Sequence, residues 1–261
     1  MERTQGAGGL KLIVNADDFG YAESVSSGIL RAHRSGIVTA TTLMANAPHT
    51  DDAAKLARAT PSLDVGVHLV VSFGRPVADV ERVRSLVDAD GQFFRPKQLM
   101  ARDIDRDEAL VEYRAQHEKA RDLLHRDPTH LDTHHWVHDH PALEWAIGEL
   151  ALETGAAARI HSDEQRDRLR ARGVRTPDHF AREFQYEGKV GVEQLLGLLD
   201  QLADREEVVE LMCHPGDTDA ALIKKSGYAR ERPTELATLT DPRVRAAVQD
   251  LGITLATFAD V

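Results

Sequence analysis

The chain has 261 residues, a length at which one α/β barrel of about 250 residues is a standard solution and a second full domain is hard to fit. Its 32 Lys and Arg against 43 Asp and Glu give a net charge of -11, which repels phosphate backbones and anionic headgroups and argues against nucleic-acid or membrane partners. The one cysteine, Cys213, excludes an internal disulfide or a thiolate metal cluster and fits a reducing, cytoplasmic setting.

The polar, Gly-rich start reads as a flexible tail over residues 1–10, and the apolar run after it is too short for a signal sequence or a membrane span. LIVNADDFGYAES (12–24) then sets Asp17 and Asp18 side by side at the end of a buried strand. Adjacent carboxylates repel and each resists burial. Two readings follow: a strand-to-helix turn with Asp at the cap and Gly20 in the loop, or a site where a cation or a proton-transfer task holds the pair.

Apolar runs at 10–16, 37–44, 64–70, 129–134, 156–160, 207–213 and 252–258 are seven predicted strands. Helical patterns fall between them at 21–35, 50–59, 104–126, 141–154, 191–204, 217–229 and 241–250. This alternation predicts parallel strands joined by right-handed crossovers, hence a single TIM-like (β/α) barrel over 11–261, seven-stranded or incomplete. Residues 73–98 form a long excursion after the third strand, a candidate lid or substrate wall, and 161–173 reads as a solvated helix.

In a parallel barrel the C-terminal strand ends converge on one rim. Four chemically loaded positions fall there: Asp17 with Asp18, His68 in GVHLV, the cluster 130–138, and His214 in MCHPG. THLDTHHWVHDHP holds five of the chain's 13 histidines, too dense for accident unless it is a polar loop. On a strand His130, Asp132 and His134 share one face. His134, nearest the strand end, is the favoured ligand, with His130 and Asp132 orienting it or its neighbours. His138 and Trp136 are further candidates on the substrate side, and Phe73 and Tyr228 join Trp136 as aromatic surfaces on which a ring can stack. Asp18, His68 and His134 make a two-histidine, one-carboxylate set that leaves positions open on a divalent cation. Asp17 is then free to act as a base. Cys213 points away from its neighbour His214, which excludes a Cys-His dyad and leaves His214 as general acid to a leaving amine.

LIVNADDFG, GIVTATTLMAN, GVHL, HLDTHHWVH, RTPDHF and MCHPG, in this order, resemble the YdjC/ChbG-type carbohydrate deacetylases. The resemblance runs from about residue 11 to the C-terminus and includes the tail SGYARERPTEL with LTDPRV. It implies a TIM-like barrel and metal-dependent removal of N-acetyl groups from N-acetylglucosamine-containing sugars. It also implies metal ligands at Asp18, His68 and His134 and proton-transfer residues at Asp17 and His214. One departure is visible: His134-His135-Trp136 stands where the family commonly has three successive histidines, which bears on sugar preference. The donor set suits one divalent ion, Zn, Co or Ni by affinity, or Mg where waters complete an octahedron.

Three rival readings fit parts of the pattern. A metal hydrolase acting on another bond such as a phosphoester lacks a Gly-rich phosphate cradle here. A mononuclear iron oxygenase is expected on an all-β jelly roll rather than on this alternation. A sugar-binding module leaves Asp17 unexplained. The residues leave open which acetylated sugar is bound, which metal is native, and whether the chain forms a homodimer.

Overall fold

The computed structural model describes residues 9–261, so the tail expected at 1–10 falls mostly outside the described residues. The elements in chain order are β1 (Lys11–Phe19), α1 (Glu23–Ser35), β2 (Ala40–Leu43), α2 (Thr50–Arg58), β3 (Asp64–Leu69), α3 (Pro96–Leu99) and α4 (Arg106–Leu124). There follow β4 (His130–Thr133), α5 (Pro141–Thr154), β5 (Ala157–Ala158), α6 (Asp163–Ala171), β6 (His179–Ala181) and α7 (Val192–Leu202). The chain ends with β7 (Val208–Cys213), α8 (Ala220–Lys225), α9 (Arg232–Leu239), α10 (Pro242–Asp250) and β8 (Thr254–Leu255). No helix among the described residues is long and apolar enough to cross a membrane.

All strand pairs are parallel, in the order β5-β4-β3-β2-β1-β7-β6, with β8 added beside the start of β1. Among the described residues no ladder joins β5 to β6, so the sheet is an incomplete TIM-like barrel, as the alternation predicts. The composition of the sheet differs in one strand. β6 was absent from the predicted strands because HFA is three residues long, follows Pro177 and precedes two charged residues, too short to show a period. The predicted strand at 252–258 shrinks to the two residues of β8. The helix predicted at 217–229 shrinks to α8, and the unpredicted α9 begins with Pro233 in its first turn.

β1 is buried at every position after Lys11, as a central parallel strand with both faces covered must be. Its period of two divides the residues. Leu12, Val14 and Ala16 join the large core under the helices, while Ile13 packs inside the barrel with Ala40, Ala157, Ala256 and Phe258. That small plug closes the bottom. Asn15 and Asp17 continue the same inner face upward, so the strand carries polar groups toward the rim only above an apolar floor.

Missing side chains permit two close approaches. A Cβ on Gly66 would lie 2.3 Å from the His130 carbonyl oxygen and 2.6 Å from its Cγ. His130 thus fills the space beside Gly66 and stacks on Phe258, centroids 3.6 Å apart. A Cβ on Gly28, in α1, would lie 2.5 Å from Gly216 Cα, two residues beyond His214. The excursion at 73–98 is likewise pinned rather than free: Val77 N–H and Ala78 N–H each donate 2.9 Å bonds to the buried Glu112 carboxylate of α4. Gln116, one turn on, accepts from Val70 N–H at 2.8 Å and donates to its carbonyl at 2.6 Å.

Gly28→Ala forces backbone against backbone, and overpacking of this kind costs roughly 1–3 kcal/mol. The expected outcome is a lower denaturant midpoint with an unchanged m-value, read by equilibrium unfolding.

Candidate active site

Neighbours on a regular strand point to opposite faces, yet Asp17 and Asp18 both border one cavity of about 570 Å³ at the barrel mouth. A bulge does this. The register of β1 against β2 shifts between Ala16 and Phe19, and Asp18 takes a left-handed backbone with φ 72°. Such a conformation costs a non-glycine residue on the order of 1 kcal/mol or more. Neither aspartate caps α1, whose N-cap is Ala22 without a side-chain bond, so the capped-turn reading of the pair fails.

Asp18 Oδ1 lies 3.3 Å from His68 Nε2 and 3.1 Å from His134 Nδ1, and the two ring nitrogens are 3.2 Å apart. Ligand atoms about 2.1 Å from a tetrahedral or octahedral ion stand about 3.0–3.4 Å from one another, so this triangle has the right edge for one divalent cation. Asp18 Oδ1 also makes no well-formed hydrogen bond of its own, as expected of an atom kept for a cation. Its other oxygen accepts from the buried Arg232. Burial would raise the Asp18 carboxyl, but Arg232 and the two imidazoles hold it well below the usual range. Burial likewise opposes a charge on His68, yet Asp132 and Asp18 push this imidazole up to about 10. An imidazole binds a cation only when neutral, so cation binding at the triangle expels that proton.

Asp132 is the partner of His68, not of His134: its Oδ1 is 2.7 Å from His68 Nδ1, which turns Nε2 toward the triangle. Thr42 Oγ1 donates to Asp132 Oδ2 at 3.0 Å. His130, expected from the shared face to orient His134 or its neighbours, instead meets Asn15 Oδ1 through Nε2 at 3.0 Å and Thr129 Oγ1 through Nδ1 at 2.8 Å. The shared-face argument breaks at His134 because β4 ends at Thr133. His134 reaches the cavity from a 3-10 turn in which His135 and Trp136 both have left-handed backbones, φ 65° and 60°. His138 is buried, with Nδ1 2.6 Å from Thr133 Oγ1 and its ring tilted by 30° against that of His161. Trp136, Phe73 and Tyr228 all border the cavity.

Asp17 is held differently from its neighbour. Arg159 donates to both of its oxygens at 2.7 Å, and Asn15 Nδ2 donates to Oδ1 at 2.9 Å. Arg159 is 2% exposed, and it also binds Glu210 through Nε at 2.6 Å and lies 3.0 Å from Asp132. Burial pushes Glu210 up to about 7. His214 Nε2 stands 3.9 Å from Asp17 Oδ2 across the cavity. Its backbone N–H donates to the buried Glu235 of α9, which also accepts from the Tyr228 hydroxyl. Burial pushes His214 down to about 4.

Arg159, Arg232, Glu210 and Glu235 were not among the expected site residues. Arg159 did leave a signal, since a lone Arg in the apolar run AAARI is buried only if it is paired. Arg232 and Glu235 lie in the tail SGYARERPTEL, which carries the family resemblance but assigns a role to neither residue. Removing Arg159 strands three carboxylates, and an uncompensated buried charge costs about 3–5 kcal/mol. Arg159→Met is expected to lose stability of that size in chemical denaturation. Adding Glu210→Gln is expected to recover part of the loss, a coupling that a double-mutant cycle measures.

A family profile described as YdjC-like protein matches residues 11–250. A carbohydrate deacetylase of Geobacillus stearothermophilus is 39% identical over 265 residues, covering 95% of this chain and 96% of that protein. A chitooligosaccharide deacetylase of Salmonella paratyphi B is 36% identical over 255 residues, covering 96% of this chain and 98% of its own length. Among solved structures, an Enterococcus faecalis V583 protein named for cellobiose-phosphate cleavage superposes with a TM-score of 0.89 at 36% identity, covering 96% and 98% of the two chains. A family 4 carbohydrate esterase from Streptomyces lividans shares the fold, with a TM-score of 0.54 at 10% identity over 96% and 93%. The chain belongs to the YdjC-like protein family.

Proposed function

We propose that the chain is a carbohydrate deacetylase that hydrolyses the amide of an N-acetylated sugar, an N-acetylglucosamine-containing oligosaccharide or glycoconjugate, and releases acetate. One observation carries the reading: three donor atoms within 3.3 Å of one another sit beside a separate carboxylate, Asp17, with His214 across the same cavity. The relatives named as carbohydrate deacetylases, up to 39% identical over nearly the whole chain, support the substrate class.

Asp18, His68 and His134 are the residues that would hold one divalent cation, and their mixed nitrogen and oxygen donors accept Zn, Co, Ni or Mg. Bound there, such a cation would supply Lewis acidity, polarising the amide carbonyl and lowering the pKa of water. Asp17 takes the proton of the attacking water, and the Arg159 fork with Asn15 fixes the angle at which its carboxylate meets that water. His214 delivers a proton to the leaving amine. Because burial keeps its imidazole neutral at rest, that proton arrives within the turnover, and Asp17 Oδ2 at 3.9 Å is the group placed to pass it on. One proton leaves water and one reaches the amine, so the relay balances.

The test is acetate release from a panel of N-acetylated sugars after chelation and reloading with Mg, Zn, Co or Ni. Asp17→Asn is expected to keep the cation and lose about 10²- to 10⁴-fold in kcat. Asp18→Asn, His68→Ala and His134→Ala are expected to lose most bound cation by elemental analysis, while His138→Ala keeps it. Cellobiose phosphate carries no amide and belongs in the panel: its cleavage by a loaded protein that releases no acetate would replace this reading.

A further inference from the structure

Tyr186, in the loop between β6 and α7, has two features that work against stability. Its backbone is left-handed, φ 74°, and its side chain is 59% exposed, the most exposed of the large apolar side chains among the described residues. The loop nevertheless fixes it. Tyr186 N–H donates to the Tyr228 hydroxyl at 3.1 Å, and the Tyr186 carbonyl accepts from Lys189 N–H at 3.1 Å. Its ring meets Tyr228 edge-on with centroids 5.9 Å apart, and Tyr228 in turn lies 4.9 Å from His214. Along the cavity wall the rings therefore run outward from His214, 9% exposed, through the half-buried Tyr228 to Tyr186 at the mouth.

We propose that Tyr186 is the platform for a second sugar unit, the one linked to the unit whose acetamide is cleaved, and so sets a preference for oligosaccharides over the monosaccharide. This rests on the deacetylase reading. His214 faces the leaving amine of the first unit, and Tyr186 stands one aromatic ring further out, a spacing comparable to the width of one pyranose. A pyranose carries C–H groups on its faces and hydroxyls around its edge, so it can cover a ring by apolar contact while its edge stays hydrated. The Tyr228 hydroxyl is committed to Glu235 and to the Tyr186 backbone, which makes Tyr228 the anchor and leaves Tyr186 as the surface. Of the other aromatic side chains on the cavity, Trp136 is packed against His161, Phe180 and Arg182, and Phe73 lies against Tyr21 and His134. A platform whose backbone is fixed before the sugar arrives loses less freedom on binding, and the hydrogen-bonded turn with the edge-on contact to Tyr228 supplies that constraint.

The experiment compares kcat/KM for N-acetylglucosamine, N,N'-diacetylchitobiose and triacetylchitotriose in wild type, Tyr186→Gly, Tyr186→Phe and Tyr186→Trp. Glycine suits the left-handed backbone, so that variant removes the ring without adding strain, and thermal unfolding checks that it folds. The expected result is that the ratio of disaccharide to monosaccharide kcat/KM falls about tenfold in Tyr186→Gly, the size of one ring-stacking contact, with the loss carried by KM. Tyr186→Phe and Tyr186→Trp keep the ratio. An unchanged ratio in Tyr186→Gly overturns the proposal. So does an equal fall on all three sugars carried by kcat, which would mean that Tyr186 acts through Tyr228 and Glu235 on His214. Wild type that releases no acetate from any of the three, with any cation, overturns the deacetylase reading and this proposal with it.

Discussion

Two buried guanidinium groups hold the barrel mouth together. Asp17, Asp18, Asp132, Glu210 and Glu235 are all buried there, and in a low-dielectric interior five carboxylates repel strongly unless cations interleave them. Arg159 meets Asp17, Asp132 and Glu210 through one planar fork, a geometry that a lysine ammonium cannot copy. Arg232 meets Asp18 from the opposite side. Burial pushes Glu210 and Glu235 up to about 7; even with both protonated, three aspartates against two arginines leave a negative surplus, and this surplus either draws a proton onto His68 or draws a divalent ion to Asp18. The bulge in β1 is what separates the two aspartates into these two environments. Without it one carboxylate would turn away from the cavity into the apolar layer under the helices.

Much of this was legible in the residues, and the limits have physical causes. Strand-helix alternation depends on local pattern, so β1, β2, β3, β4 and β7 fall where the apolar runs predict. The convergence of Asp18, His68 and His134 follows from barrel geometry, because parallel strand ends share a rim. Contacts between distant segments were not legible in the same way. Arg232 reaches Asp18 across the whole length of the chain, and no local pattern encodes that. Side-chain direction at an irregular step was hidden too: period-two reasoning put His134 on the face of His130 and Asp132, whereas the strand stops one residue earlier and the turn re-aims it.

The interior is layered by chemistry as well as by height. An apolar plug around Ile13 and Phe258 lies lowest, and above it neutral hydrogen-bonding groups, Asn15, Thr42 and His130, link the strands. Charged groups gather toward the top, with one exception: Glu210 lies in register with Ile13 and is met there by Arg159. His130 therefore belongs to the support of Asp17, through Asn15, although the sequence pattern groups it with the ligands. This order keeps ionised groups near the solvent that enters through the cavity, and it gives each of them a partner below whose geometry is fixed by packing.

The place of β1 in the sheet has a consequence for how the molecule assembles. It precedes every other strand of the sheet in chain order, and one of its edges pairs with β2, the next strand along the chain. Its other edge, from Lys11 to Ala16, waits for Val208 to Cys213 of β7, and its start waits for β8, which follows later still. During synthesis a long apolar strand thus keeps an open edge, with the aspartate pair beside it lacking Arg232. Contacts of such sequence separation form late and slowly. Until β7 and β8 are made the nascent chain is exposed to misassociation, and loss of these two strands would leave the central strand of the sheet half paired.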